Sequence, residues 1–514
     1  MRSFLPLLLV AIPVLPLLAG LLARMGGAPA RTARWVAAAA GVSALLAAVA
    51  ALALITGGPL TVRWTPWGAD PDWTLSLRLD AISAVMAVLV SFLGWVVLRF
   101  SRNYLAGDAG QSRFFSWMSL TLASVLAVVI SNHLLLISAS WIMTSLCLHR
   151  LLLHYPGRAG AIFSARKKFV VSRLADACLL AAAVLLYRAH GTWELDALFA
   201  SVASGKTDGL TVAGFLIVAC AALKSAQFPF HSWLPDTMET PTPVSAFMHA
   251  GIINAGGFLV VRLSPLLVNA PAALNLLAIL GALTAAFGAV VMLAQPSVKR
   301  ALAYSTIAQM GFMMLQCGLG AYGLALLHIV AHSLYKAHAF LTAGSTIGAV
   351  PRAAIKLKTP ALTLGVLGGA LLVVGGATAL QAVAPGASLH LGVFALVLAL
   401  ALAYGLARVW SIGGGLRTGL RGVMIAAVIA AASLVLHAGA SALFTELPAV
   451  SPSPAVLAAV TAVFVTLFIF QALLWRAARH DLGRRLYVHA LNGFYLGTLA
   501  NRFLGLLWPR QQIG

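Results

Sequence analysis

The 514-residue chain is 61% hydrophobic and only 9% charged, with a mean hydropathy of +0.96. A soluble domain is about one quarter charged, so this composition excludes a soluble enzyme and describes a polytopic membrane protein. The net charge of +22 comes from 34 Lys+Arg against 12 Asp+Glu. In a soluble protein that excess would point to nucleic acid; here it matches basic cytoplasmic loops that orient a membrane protein.

A hydrocarbon core takes about 20 apolar residues to cross. That rule predicts an all-α fold with helices near 4–24, 34–56, 79–100, 114–131, 133–153, 167–187, 209–226, 243–263, 271–294, 300–317, 320–345, 361–383, 389–409, 421–443 and 455–476. The count is therefore about 13 to 15 spans. The first run is long, contains proline and lacks a clear Ala-x-Ala site, so it reads as a membrane helix and not a signal peptide. Arg484 to Trp508 is a less apolar, amphipathic stretch expected to lie along the membrane surface or a partner.

Charge tests this topology. With the N-terminus outside, the inside loops hold Arg24, Arg31 and Arg34; Arg99, Arg102 and Arg113; Arg158, Arg166, Lys167 and Lys168; Lys299 and Arg300; Arg352, Lys356 and Lys358; Arg417 and Arg421; and Arg476, Arg479, Arg484 and Arg485. The outside loops hold Asp70, Asp72, Glu194, Asp196, Asp208 and Glu446. Positive-inside agreement predicts an N-terminus outside and a cytoplasmic C-terminus. The expected organisation is N-terminal helices over 1–110, two five-helix units of opposite orientation over 111–265 and 266–410, and C-terminal helices with a tail over 411–514, an inverted-repeat plan common among transporters.

The stretch Ala221 to Ala250 stands apart. An apolar run reaches Lys224, meets Pro229, Pro235, Pro241 and Pro243, and resumes as a second apolar helix carrying His249. Interrupted backbone at membrane depth is tolerated only where protein or a water-filled cavity satisfies it. A charge there usually marks an ion route. The plainer alternative is an interfacial lysine that snorkels. Further on, His328, His332 and Lys336 recur every four residues and share one helix face. Imidazole changes protonation near neutral pH, so such a row suits proton hopping; helix-packing histidines are the alternative. The His-x-x-x-His spacing has Ile329 where a metalloprotease has its base, and no third zinc ligand accompanies it, so no metal site is expected. Arg173 and Asp176 can pair along one helix face, and Asp236 and Glu239 fall in the break. Lys299 follows Pro296 at a helix start, where a loop anchor suffices. The four cysteines lie in apolar segments without CxxC spacing and read as buried hydrophobes. Nucleophile-elbow, phosphate-loop and dinucleotide patterns are absent, so no catalytic centre is expected.

Several long motifs are similar to one family. Lys224 to Asp236 with Pro241 to Ala250 resembles the signature of antiporter-like membrane subunits, those of respiratory complex I (the subunit L type) and of multisubunit cation/proton antiporters. Ser112 to Phe115, Ser131 to Leu136, Lys168 to Asp176, Lys299 to Gln309 and His328 to Lys336 extend the resemblance over most of Leu77 to Gly344. It implies a proton or cation path with Lys224 as the central lysine on a broken helix. His249, His328, His332 and Lys336 would connect it, Lys299 would neighbour it, and Asp176, Arg173 and Asp236 would tune it. The chain departs from the family in two places. Ile142 stands after Trp141 where the family has a glutamate, and Leu357 to Gln381 has no ionisable residue after Lys358. The long lateral helix of the complex I subunit is also missing before the chain stops at Gly514. A shorter branch, the membrane subunits of inorganic carbon transporters, is similar in Met238 to Ser245, Gly251 to Gly257 and Tyr487 to Tyr495. That resemblance implies a cation-conducting subunit without its own cofactor, energising a large zinc-binding, carbonic-anhydrase-like partner on the cytoplasmic side. The rivals are a pump subunit of complex I, a hydrogenase or a cation/proton antiporter, and a scaffold that has lost conduction.

Overall fold

A computed structural model describes residues 5–65, 74–346, 357–383, 392–412, 415–477 and 480–507. Asp70, Asp72, Arg352, Lys356 and Arg479 lie outside the described residues. All fifteen expected spans are helices: α1 (Leu5–Leu22), α2 (Pro29–Gly57), α3 (Ala81–Tyr104), α4 (Gln111–Ile130), α5 (Leu134–Leu152), α6 (Ala159–His190), α7 (Leu210–Lys224), α8 (Thr242–Arg262, with a distorted turn at Ile252–Asn254), α9 (Pro271–Ala294), α10 (Val298–Gly318), α11 (Tyr322–Leu341), α12 (Thr359–Val383), α13 (Gly392–Ile412), α14 (Gly415–Leu443) and α15 (Pro454–Ala477). Length and hydropathy alone pick out thirteen of them. The two left out are α7, which is too short and leads into the break, and α10, which opens on Lys299 and Arg300.

One feature was not expected from an all-α pattern. Strands β1 (Leu60–Trp64) and β2 (Leu75–Leu79) form a small antiparallel hairpin, with Leu60 opposite Leu79 and Trp64 opposite Leu75. The alternation in Leu-Ser-Leu-Arg-Leu is a strand signal, but it is short and sits between two strong helices.

The bundle is densest around α8 and α4, where 89% and 83% of the apolar window is buried, against 17% for α15 and 22% for α2. The helix that follows the break therefore sits at the centre, while α2 and α15 turn broad apolar faces outward, as lipid-facing helices do. Helices α9 and α10 approach through small residues. A Cβ on Gly281 or Gly311 would collide with the backbone of the facing helix, at Leu315 and Ala285 respectively. Small-residue contact is how membrane helices gain packing when burial of apolar surface gives no driving force.

The end of the bundle that carries the acidic loops is held by buried ions. Asp80 caps α3 through a reciprocal pair with Ser83, each backbone N–H donating to the other's side chain at 2.8 Å. Arg262, the last residue of α8, donates to both Asp80 oxygens, and Arg78 of β2 places Nε 2.8 Å from Asp80 Oδ2. Arg78 also pairs with Asp196, while Asn132 donates to Glu194 and Asp196 at 3.1 and 3.2 Å. The hairpin, α3, α8 and the start of the short helix Leu195–Ala203, which Glu194 precedes and Asp196 opens, are thereby locked together. Burial pushes the Asp80 carboxyl up, but Arg262 and Arg78 outweigh burial and hold it well below the usual carboxylate range. A depressed folded value contributes stability above the unfolded carboxyl value of about 4 and loses it as pH falls below that.

Breaking this buried pair from one side should be costly. Arg262→Ala is expected to destabilise by about 3–5 kcal/mol, read as a large drop in the thermal midpoint in detergent. In the wild type the midpoint should fall as pH drops below about 4, and Asp80→Asn should blunt that fall.

Candidate ion path through the broken helix

Helix α7 has 15 residues, a length of about 22 Å. A hydrocarbon core is about 30 Å thick. Lys224, its last residue, thus ends inside the membrane, and its side chain is only 5% exposed. That excludes a snorkelling lysine. The helix stops in a Schellman turn: Ala226 takes a left-handed φ of 50°, and the Gln227 N–H returns to the Ala222 carbonyl at 3.0 Å. Glycine is the usual residue at such a cap, so Ala226 holds a strained conformation that the surrounding packing imposes.

The broken segment between α7 and α8 is satisfied from other helices. Pro229 has no N–H to satisfy. The Phe228 N–H donates to Thr284 Oγ1 of α9 at 3.0 Å, and the Ser225 hydroxyl donates to the Ile253 carbonyl at 2.7 Å. Thr237 and Thr240 hydroxyls donate to the Leu234 and Thr237 carbonyls. His231 stacks among Phe228, Phe287 and Tyr304. The four prolines punctuate the segment, and Pro243 lies in the first turn of α8.

Lys224 Nζ sits 4.6 Å from the centre of the Trp141 ring and has no hydrogen-bond partner. The position after that tryptophan is Ile142, so the ring face, and no carboxylate, meets the ammonium. A desolvated cation–π contact is worth about 2 kcal/mol, less than the several kcal/mol that burying an ion costs. Asp176 lies within electrostatic range of Lys224, but its carboxylate contacts Arg173, with Nη2 2.7 Å from Oδ2. The cluster holds a second lysine. Lys168, taken from sequence as an inside-loop anchor, is buried and donates to the Ser145 carbonyl and hydroxyl at 2.8 and 2.9 Å. The signal was present: Lys168 and Asp176 are eight residues apart, on one face of α6. Lys167, the other supposed loop anchor, is also buried; it bridges Asp236 of the break at 2.8 Å and Asn501 of the tail at 2.7 Å.

The tail is docked on this chain itself. Its helices, Asp481–Leu491 and Leu496–Leu507, are joined by a turn with Phe494 and Tyr495 at positive φ. Besides Asn501, the Leu491 carbonyl accepts from Gln295 at 3.2 Å, and Phe494 packs on Phe287 with centroids 5.9 Å apart. Leu482, Leu499, Phe503 and Leu506 stay exposed. The tail therefore covers the break on its polar side and leaves an apolar face outward.

A second set of buried polar groups lies on α8, α10 and α11. His249 of α8 is fully buried, with Nδ1 3.0 Å from Thr306 Oγ1 and its ring stacked on Phe340. Lys336 is fully buried and donates to the Leu302 carbonyl at 3.0 Å. His332 follows one turn earlier, and its ring centre is 5.9 Å from that of His328. His328 Nδ1 pairs with Gln316 Oε1 at 2.8 Å. Nε2 of His249, His328 and His332 has no partner. Asn254 links α8 to α11 by donating to Ser333 at 2.8 Å. Among the described residues, no third His, Cys, Asp or Glu joins His328 and His332 as a metal ligand set. Lys299 lies in the first turn of α10, half-buried, three residues before Leu302, whose carbonyl accepts from Lys336. Helix α12 runs uninterrupted over Thr359–Val383.

A helix that stops inside the membrane on a buried lysine, followed by a buried His–Lys row, resembles the antiporter-like membrane subunits, and comparison with known proteins agrees. Residues 131–414 match the family model described as NADH:quinone oxidoreductase/Mrp antiporter, TM, and residues 64–115 match that of the complex I chain 5 N-terminus. The chain belongs to this family, a class of cation-translocating membrane subunits. More particularly, it is 39% identical over 532 residues to the probable inorganic carbon transporter subunit DabB2 of Halothiobacillus neapolitanus, covering 98% of this chain and 94% of that one. It is 42% identical over 299 residues to the probable inorganic carbon transporter subunit DabB of Hydrogenovibrio crunogenus, covering 58% of this chain and 57% of the relative. Its fold is similar to the structure of the Mrp complex from Dietzia, with a TM-score of 0.64 and 25% identity, covering 99% of this chain and 60% of that one.

The break depends on its borrowed hydrogen bond. Thr284→Val keeps the shape of the side chain but orphans the Phe228 N–H. It should cost about 1–3 kcal/mol, seen as a lowered thermal midpoint in detergent; an unchanged midpoint would mean that the contact contributes nothing.

Proposed function

We propose that this chain conducts protons, or sodium ions, down their gradient and so energises a partner subunit for inorganic carbon uptake. The observation that carries the reading is Lys224: an ammonium site with no hydrogen-bond partner, held at the end of a helix that stops inside the membrane. An ammonium in that setting can release one proton and become a neutral amine without losing a structural hydrogen bond. Asp176, Arg173 and Lys168 set the field around it. His249, His332, His328 and Lys336 relay the ion laterally, each within one helix turn of the next or on a facing helix. Asp236 acts at one remove, by fixing Lys167 and the tail against the break. Lys299 is a basic anchor at the start of α10.

The near full-length similarity to an inorganic carbon transporter subunit supports the choice of partner. That partner is a large zinc-binding, carbonic-anhydrase-like subunit on the cytoplasmic side, and the zinc belongs to it. The N-terminus then lies in the periplasm and the C-terminus in the cytoplasm, with the basic loops and the tail facing the partner. The similarity to an Mrp complex supports a second reading, a subunit of a cation/proton antiporter.

Lys224→Ala should abolish gradient-dependent bicarbonate uptake in cells while leaving the protein in the membrane at normal abundance. Uptake at the wild-type level, with the assembly intact, would end the conduction reading. Purification through a C-terminal tag, with metal analysis of what comes with it, separates the two partners. A stoichiometric zinc protein supports carbon uptake, and antiporter subunits without zinc support the second reading.

A further inference from the structure

The row on α11 does not end among packed side chains. His328 forms one wall of a cavity of about 430 Å³ between α10, α11, α12, α13 and α14. Most of the lining is apolar, including Phe312, Phe394 and Val373. Its polar groups are Gln309, Gln316, His328, Ser433 and His437. Ser433 and His437 are four residues apart and share one face of α14. His328 is anchored by Gln316 through Nδ1, which leaves the buried Nε2 without a partner in the protein. A buried polar atom of that kind is satisfied by water where the site is polar and roomy enough. At roughly 30 Å³ per liquid water, the volume holds on the order of ten waters.

Depth places the cavity. His328 is six residues into α11, and His437 is six residues from the last residue of α14, so each imidazole lies about 9 Å along its helix from that end. The two ends are at the same face of the bundle, because Gly323 at the start of α11 abuts the Ala440 carbonyl near the end of α14. Just beyond α14 comes Glu446, an exposed carboxylate in an acidic loop.

We propose that this cavity is a hydrated mouth of the ion path on the acidic-loop side. His437 is its outer proton-exchanging residue, joined through water to His328. The transported species at this mouth is a proton, since imidazole takes up and gives back a proton near neutral pH; at His328 both steps fall on Nε2, because Nδ1 stays on Gln316. No covalent step is involved. Each relay returns to its starting protonation after one proton has entered from water and one has left to the next group. The assignment brings in a residue outside every sequence motif and extends the row from α11 to α14. It rests on the conduction reading for Lys224.

The test is proton flux into membrane vesicles carrying the full chain, read with a pH-sensitive dye under an imposed potassium diffusion potential. His437→Ala should lower flux at least tenfold, and added imidazole should restore it, because the cavity admits a free ring. Ser433→Phe, which fills the cavity and keeps His437, should lower flux by a similar factor with no rescue by imidazole. Lys224→Ala controls for the underlying reading, and abundance in the membrane is measured for each variant. If Lys224→Ala abolishes flux while both His437→Ala and Ser433→Phe conduct normally, the cavity is a lipid-lined crevice and the proposal fails. A low flux in His437→Ala that imidazole does not restore would also overturn the relay role. Normal flux in all three variants would overturn the path through Lys224, and this mouth with it.

Discussion

Fifteen residues of helix cannot cross a bilayer, and the rest of this structure answers that shortfall. Helix α7 stops where hydrocarbon leaves no water to receive its last carbonyls. Neighbouring elements must therefore supply what water cannot. The Schellman turn at Ala226 closes the helix end, Thr284 of α9 takes the Phe228 N–H, and Ser225 reaches the carbonyl of Ile253. Three helices are thus committed to one interruption. Such a commitment is hard to explain by packing alone, since an unbroken helix would need none of it.

The consequence is a lysine that cannot reach water. Lys224 lies over Trp141 with no acceptor for its protons, next to a positive excess formed by Lys168 and Arg173 against the single carboxylate of Asp176. The cluster is not a neutralised ion pair. Removing charge from water is tolerated in proteins when partners replace the solvent, and here that replacement is incomplete. The contrast with Asp80 is instructive. That carboxylate is equally buried, yet two arginines and a helix cap surround it. One buried charge is clamped by its partners and the other has no hydrogen-bond partner, and that difference is what the proposed exchange at Lys224 rests on.

The tail adds a constraint of its own. Lys167 binds the break and the tail at once, so the position of Leu496–Leu507 is tied to that of Asp236. A partner that engages the exposed apolar face of the tail would be mechanically connected to the segment beside Lys224. The connection is short: one lysine and two acceptors.

Much of this was legible in the chain itself. The spans were, because lipid contact demands about twenty apolar residues whatever the neighbours are. The break was, because prolines and a lysine in an apolar run are rare enough to stand out. The His–Lys row was, because a period of four places residues on one helix face. Tertiary structure decided the rest, and it did so wherever meaning depends on what lies across a helix interface. Lys167 and Lys168 read as loop anchors from their place after a basic turn, yet α6 starts eight residues earlier than expected and carries both inside. The tail reads as a stretch along the membrane surface or a partner, and only packing adds that Asn501 ties it to Lys167 and that Phe494 sets it on Phe287. Arg262 and His437 carried no sequence signal, because a lone arginine or histidine on an apolar helix acquires a role only from the groups that face it. Local pattern determines where a helix runs and which face is polar; only packing determines which polar face meets which, and whether a charge is clamped or exposed to exchange.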